Sequence, residues 1–376
     1  MRRLYIDNIR WMTVVLVVLY HVIYMFNGIE TFGVIGPFSR VQYQDTYQYL
    51  VYPWFMLLLF VVSGMSARYA LERQTHGAFL KSRTRKLFVP STLGLLVFWW
   101  ILGYYNMLLS GALDSMANVP KPVLFVIMVA SGIGPLWYIQ MLWVFSVILV
   151  WIRKVEKDKL WTLGSKATVP FVILLALVVW GTAQILNTPM IVVYRFGIYG
   201  LGFFLGYFIF SHDEVMERLE KCWLLLLVCA LALAIAFTVI YWGKPYAEHS
   251  VLDTPLCNVF AWITVLAVLA VMKKWGDFSN AFTEWIGKKS WGLYLFHYLF
   301  IAMASYYLTM YAKNLPVPMV YLCVAVAGFA GSYLAYAIIS RIPVLRWLIC
   351  GMGGKIFDIK PGDNLLVLGD EGQGIA

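Results

Sequence analysis

Apolar residues along this chain gather into long runs cut by short polar stretches. Runs of spanning length fall near 9-26, 50-69, 87-108, 136-152, 168-186, 194-210, 222-242, 257-272, 291-311 and 319-340. Crossing a hydrocarbon core as an α-helix takes roughly 20 such residues. The pattern therefore predicts an all-α fold, a polytopic membrane bundle of about ten transmembrane helices, since helices satisfy their own backbone in lipid. A further apolar piece, 122-130, is too short to span and is cut off by Ser131-Gly132-Ile133-Gly134-Pro135. It suits an interfacial or re-entrant segment. The largest outward loop, near 27-49, is polar and aromatic, and neither an internal repeat nor a second soluble domain is visible. The expected organisation is one membrane domain over 1-345 and a short tail over 346-376, rich in Gly and Asp beyond Gly351.

Composition agrees with immersion in lipid. Of 376 residues, 62% are hydrophobic and 13% charged, with a mean hydropathy of +0.76, against roughly 25% charged in soluble domains. The formal net charge of +10 raises the question of nucleic acid, and its distribution answers against it. Alternate loops carry nearly all the cations, among them Arg2, Arg3, Arg68, Arg73, Lys81, Arg83, Arg85, Lys86, Arg153, Lys154, Lys157, Lys159, Lys166, Lys273 and Lys274. The opposite loops hold Arg40, Lys121, Lys244 and Lys313. By the positive-inside bias the rich side is cytoplasmic, so both termini are expected there, in a multi-pass protein of the cell membrane. Cys222, Cys229, Cys257, Cys323 and Cys350 show no CxxC spacing and no clustered His, so they are expected to be reduced apolar fillers and no metal site is expected. Met1-Arg2-Arg3 before the run from Ile9 has the charge order of a signal peptide without a small-residue cleavage site, which points to a retained first helix.

Ionisable side chains inside apolar helices are costly and mark candidate function. Arg10 and His21 are eleven residues apart, a rotation of roughly 20° and a rise of about 16 Å on an ideal helix, so they share one face. Asp7 at i−3 can pair with Arg10. On spacing alone, Arg10 either snorkels to headgroups or holds an anion, and His21 is either an interhelical hydrogen-bonding group or a general base, because burial disfavours the charged imidazole.

The Asp7-Asn8-Ile9-Arg10 segment followed by His21 resembles the Arg-x10-His signature of the membrane-bound acyltransferase-3 family, which includes glucan succinyltransferase-like members. Four further segments resemble that family in order: Val61-Val62-Ser63-Gly64, Arg83-Thr84-Arg85-Lys86-Leu87-Phe88-Val89-Pro90, Gly134-Pro135-Leu136-Trp137-Tyr138, and Ser290-Trp291-Gly292-Leu293-Tyr294-Leu295-Phe296-His297. Lys86 stands where the family's Arg-x-x-Arg run has its second arginine, keeping charge but losing the bidentate fork. The chain also ends soon after the tenth run, so the hydrolase-like domain appended to some members is not expected.

The resemblance implies O-acyl transfer, of acetyl or succinyl, from acyl-CoA as donor substrate to a hydroxyl of a carbohydrate or envelope glycan acceptor. It implies no permanently bound cofactor, and membrane lipid rather than nucleic acid as surroundings. His21 is then general base or acyl-accepting nucleophile, and Arg10 binds donor phosphate or orients the helix through Asp7. Arg83, Arg85 and Lys86 suit a coenzyme A diphosphate, or are ordinary loop charge. His297 is a packing histidine or a second base. Trp137 and Tyr138 are interfacial rings or walls of an acyl channel, and Ser63 with Gly64 permits close helix approach with the hydroxyl on backbone. Arg195, Glu30, Tyr43, Asp45 and Tyr47 are anchors or acceptor contacts. A secondary transporter is the rival from another class, since deep Arg and His also carry ions, but no inverted repeat or pair of broken helices accompanies them. A non-catalytic assembly subunit is the third.

Overall fold

The computed structural model describes residues 3–29, 34–188 and 193–353, all helix and connecting loop apart from one isolated bridge between Asn187 and Arg195. In chain order the main helices are α1 (Leu4–Tyr24), α2 (Tyr43–Leu71), α3 (His76–Leu109), α4 (Lys121–Ser131), α5 (Leu136–Glu156), α6 (Val169–Ala183) and α7 (Phe196–Phe210). After them come α8 (Asp213–Lys221), α9 (Trp223–Tyr241), α10 (Pro255–Trp275), α11 (Ala281–Tyr311), α12 (Val317–Ile339) and α13 (Pro343–Cys350). Eight of them are long and apolar enough to cross a membrane, and α4, α6 and α7 are apolar but run only 10–17 residues. All ten expected spans are helical, two of them on these shorter helices, and the piece at 122-130 is α4. This is a polytopic membrane bundle.

Several helices, α3 and α11 above all, begin earlier than hydropathy marks, because caps rather than lipid decide where such a helix starts. Asn280 accepts from Thr283 N at 2.9 Å and Thr283 Oγ1 accepts from Asn280 N at 2.9 Å, a capping box that starts α11 ten residues before its apolar run. Thr75 caps α3 by a single bond, its Oγ1 accepting from Ala78 N.

Helix α2 is the axis of the bundle, with 78% of its most apolar window buried, against 22% for α9 and α12. Those two present Leu231, Val239, Leu334 and Ile338 outward, as lipid-facing helices do. A Cβ on Gly64 would strike the Phe203 backbone and one on Gly206 the Val61 backbone, so α2 and α7 cross backbone to backbone, as small residues in membrane helices permit.

Helix α11 lies against α1 on the other side. Trp11 meets Phe282 edge-on at 5.8 Å and His21 meets His297 at 5.0 Å between ring centroids, so α1 and α11 run parallel. Beyond α12, helix α13 buries Arg346, Ile349 and Cys350, and Trp291 Nε1 donates to Cys350 O at 2.9 Å. The expected tail beyond Gly353 lies outside the described residues, as does Glu30.

Candidate active site

The parallel seam of α1 and α11 joins the two sequence segments richest in candidate chemistry. On α1, Arg10, Val14 and His21 follow one face, and on α11 Ser290, Tyr294 and His297 do the same at i, i+4 and i+7. At the Arg10 end the seam holds a cavity of about 30 Å³ lined by Arg10, Val14, Leu59, Tyr138, Ser290 and Tyr294 among others, room for about two waters. His21 does not line it; it lies further along the same face.

At the other end the two imidazoles touch. His297, fully buried, has Nδ1 2.8 Å from Tyr294 O and 3.0 Å from Leu293 O. Carbonyls only accept, so this Nδ1 carries the proton and Nε2 of the neutral ring carries a lone pair. That Nε2 is 3.2 Å from Nδ1 of His21, which is itself 2.8 Å from Val17 O. Nδ1–H of His21 is therefore shared between Val17 O and His297 Nε2. The remaining nitrogen, His21 Nε2, holds a lone pair and has no hydrogen-bond partner among the described residues. Tyr298 and Tyr20 flank the His21 ring edge-on at 4.8 and 5.1 Å, which fixes its plane while the residue stays only partly buried.

Arg10 is braced from two sides, by Asp7 at 3.0 Å and by Ser66, which returns its own proton to Val62 O at 2.7 Å. Arg83 lies within electrostatic reach of Arg10 and Tyr138, and Lys86 of Arg83, Arg85 and Arg10. Arg83 is only 7% exposed and sits over the Phe79 ring at 4.9 Å, with no hydrogen bond or ion pair to a protein group among the described residues. Helix α3 is wound wide as a π-turn over Thr84–Phe88, where Pro90 has no N–H to give the carbonyl of Lys86. Arg85 turns away from this group, its guanidinium packed on Gly353 and its Nε buried without a bond.

The remaining candidates wall the same region. Ser63 Oγ bonds the Tyr138 hydroxyl at 2.8 Å rather than its own backbone, so this serine ties α2 to α5. Trp137 packs on Tyr199 at 5.5 Å and Phe60 at 6.2 Å. Tyr138 meets Tyr294 at 5.6 Å, and the Tyr294 hydroxyl donates to Pro135 O. Arg195 lies apart, an anchor of α7 on Asp253 at 3.3 Å and on Leu252 O. Ser66, Tyr294 and Tyr298 belong to the site without having been singled out from sequence. Ser66 had a signal, one turn beyond Ser63 on α2; the two tyrosines flank His297 in its motif. Among the described residues no group of His, Cys, Asp and Glu is arranged to hold a metal ion.

No curated protein and no solved structure matches the chain. A family described as an acyltransferase domain matches residues 3–337, which takes in every residue placed above except the α13 end and Gly353. The parallel seam, its histidine pair and the cation group thus fall inside one acyltransferase domain, and this multi-pass membrane chain belongs to the acyltransferase 3 family, whose activity is acyl transfer.

Proposed function

We propose that the protein moves an acetyl or succinyl group from a coenzyme A thioester at the cytoplasmic face to a hydroxyl of a carbohydrate or other envelope acceptor. The observation that carries this reading is the hydrogen-bond chain ending in a lone pair on His21 Nε2. That nitrogen takes the proton of the acceptor hydroxyl while the oxygen attacks the thioester carbonyl. As the C–S bond breaks, the thiolate leaves and receives the same proton from the imidazolium, giving an ester and free coenzyme A. His297, its Nε2 facing His21 Nδ1–H, holds the tautomer and spreads the charge of the imidazolium.

The donor side rests on Arg83 and Lys86. A buried guanidinium without a carboxylate costs several kcal/mol unless an anion satisfies it, and two phosphates of a nucleotide supply such an anion with fork-compatible oxygens. Arg10, oriented by Asp7 and Ser66, stands between these cations and His21 and is placed to meet the thioester arm. The cytoplasmic orientation of this mouth follows from the cation-rich loops on its side of the bundle and makes both termini cytoplasmic, with 1-345 as the acyltransferase domain and 346-376 as the tail.

The test is release of free thiol from acetyl-CoA or succinyl-CoA by purified protein in lipid nanodiscs. Mass spectrometry of envelope glycans from cells with and without the gene runs beside it. Thiol release that depends on His21, with a matching acyl mass on a glycan, is expected. Transport of an ion or solute without thiol release would replace this reading.

A further inference from the structure

Beyond His21, the seam continues into a group of tyrosines that acid–base chemistry does not need. Tyr24 lies 6.5 Å from the His21 ring, Tyr20 stacks on Tyr24 and on Tyr52 at 5.6 Å each, and Tyr52 meets Tyr246 at 5.1 Å. The hydroxyls of Tyr20 and Tyr246 are 3.3 Å apart. Tyr24 and Tyr52 keep part of their surface accessible, as His21 does.

Among the described residues, one polar side chain at this level has no protein partner. Gln48 is fully buried, and neither its Nε2 nor its Oε1 makes a hydrogen bond. An orphaned buried amide is destabilising, so the fold carries a penalty here that Leu would not.

Helical spacing places Gln48 on the face of α2 that carries Tyr52 and Phe55. At 100° per residue Gln48 falls about 20° from the direction of Phe55 and about 40° from that of Tyr52 on α2, and both of those rings meet Tyr20. Helices α1 and α2 are antiparallel, with Ser66 beside Arg10 and Phe55 and Tyr52 beside Tyr20. The next turn of each pairs Gln48 with the level of Tyr24.

We infer that Gln48, with Tyr20, Tyr24, Tyr52 and Tyr246, forms the acceptor subsite next to His21, built for a sugar ring. The inference rests on the acyl-transfer reading above and adds to it which residues hold the acceptor. A primary amide donates and accepts at once, which matches a pair of neighbouring sugar hydroxyls. Tyrosine faces suit the C–H side of a pyranose. A simple lipid alcohol offers one hydroxyl and leaves half of the amide unmet.

The experiment uses full-length protein in nanodiscs with acetyl-CoA or succinyl-CoA, and octyl β-glucoside or 1-octanol as acceptor probe. Acylation of the glucoside in preference to the alcohol is expected. Gln48→Leu should lower kcat/KM for the glucoside at least tenfold and leave Tm unchanged or higher. Tyr52→Leu should repeat the loss and serves if Gln48→Leu fails to fold. Equal transfer to both probes, or a well-folded Gln48→Leu protein with undiminished glucoside acylation, would overturn the subsite. Thiol release by the wild type without glucoside acylation would also overturn it while leaving acyl transfer standing. Absence of thiol release under every condition would overturn acyl transfer itself.

Discussion

His297 Nε2 faces His21 Nδ1 at 3.2 Å, and because backbone carbonyls hold the Nδ1 proton of each ring, the lone pair left over is at His21 Nε2. The two rings therefore have unequal tasks. His21→Gln should lower turnover by about 10² to 10⁴, the usual worth of a positioned general base, with donor KM little changed. His297→Gln should cost less, about tenfold, because Val17 O still fixes the tautomer of His21. Turnover per folded molecule in single-turnover assays decides the matter. Equal losses in the two variants, or near-normal turnover in His21→Gln, would reverse or remove these assignments.

Neutralising Arg83 and Lys86 together should raise the donor KM at least tenfold. Arg85→Gln should change it far less, because that guanidinium lies on Gly353. Unchanged donor kinetics, with reduced abundance only, would mean that these charges serve topology alone.

Single cysteines near Gln44 and near Lys313 should react with an impermeant thiol reagent applied to intact cells, and one near Gln74 should not. Labelling at Gln74 would invert the orientation and, with it, the face from which donor arrives.

A staple at the Arg68 end of α2 gives a pH dependence. Burial works against the Asp158 carboxylate, but hydrogen bonds from Arg68 at 2.6 Å and Arg153 at 3.2 Å, with their charges, hold it below the ordinary carboxylate value. A group so depressed stabilises the fold above its unfolded pKa of about 3.9 and loses that contribution as pH falls through the lower folded value. The Tm of Asp158→Asn should lie below wild type at pH 7 and meet it on acidification below about pH 4. Parallel curves over that range would show that the staple contributes nothing.

Much of the fold was legible because lipid imposes a simple rule: each expected run is helical, and 122-130 is the short α4. The candidate residues were legible one by one, yet not in their partners. His21 and His297 come from segments 276 residues apart, and only their packing decides which nitrogen is free. Ser63 looked like a backbone-bonded serine until α5 brought Tyr138 to it. Arg83 and Arg85 stand in one basic run, but two residues on a helix turn about 200°, so one guanidinium is buried over Phe79 while the other packs on Gly353. Gln48 reads in the sequence as one more polar residue of the outward loop near 27-49, and only the packing of α2 buries it.

The small cavity between Arg10 and the histidines bears on energy coupling as well as chemistry. A protein that brings a cytosolic donor and an outer acceptor to one point must join two aqueous compartments without short-circuiting the ion gradients between them. Here the seam holds a cavity of about 30 Å³, walled by Leu59, Tyr138 and Tyr294 and faced by Arg10. A fixed guanidinium at a constriction repels protons and metal cations, as it does in water channels. On the proposed reading, in which donor and acceptor meet from opposite faces, such a plug would let a cell run the reaction without discharging its membrane.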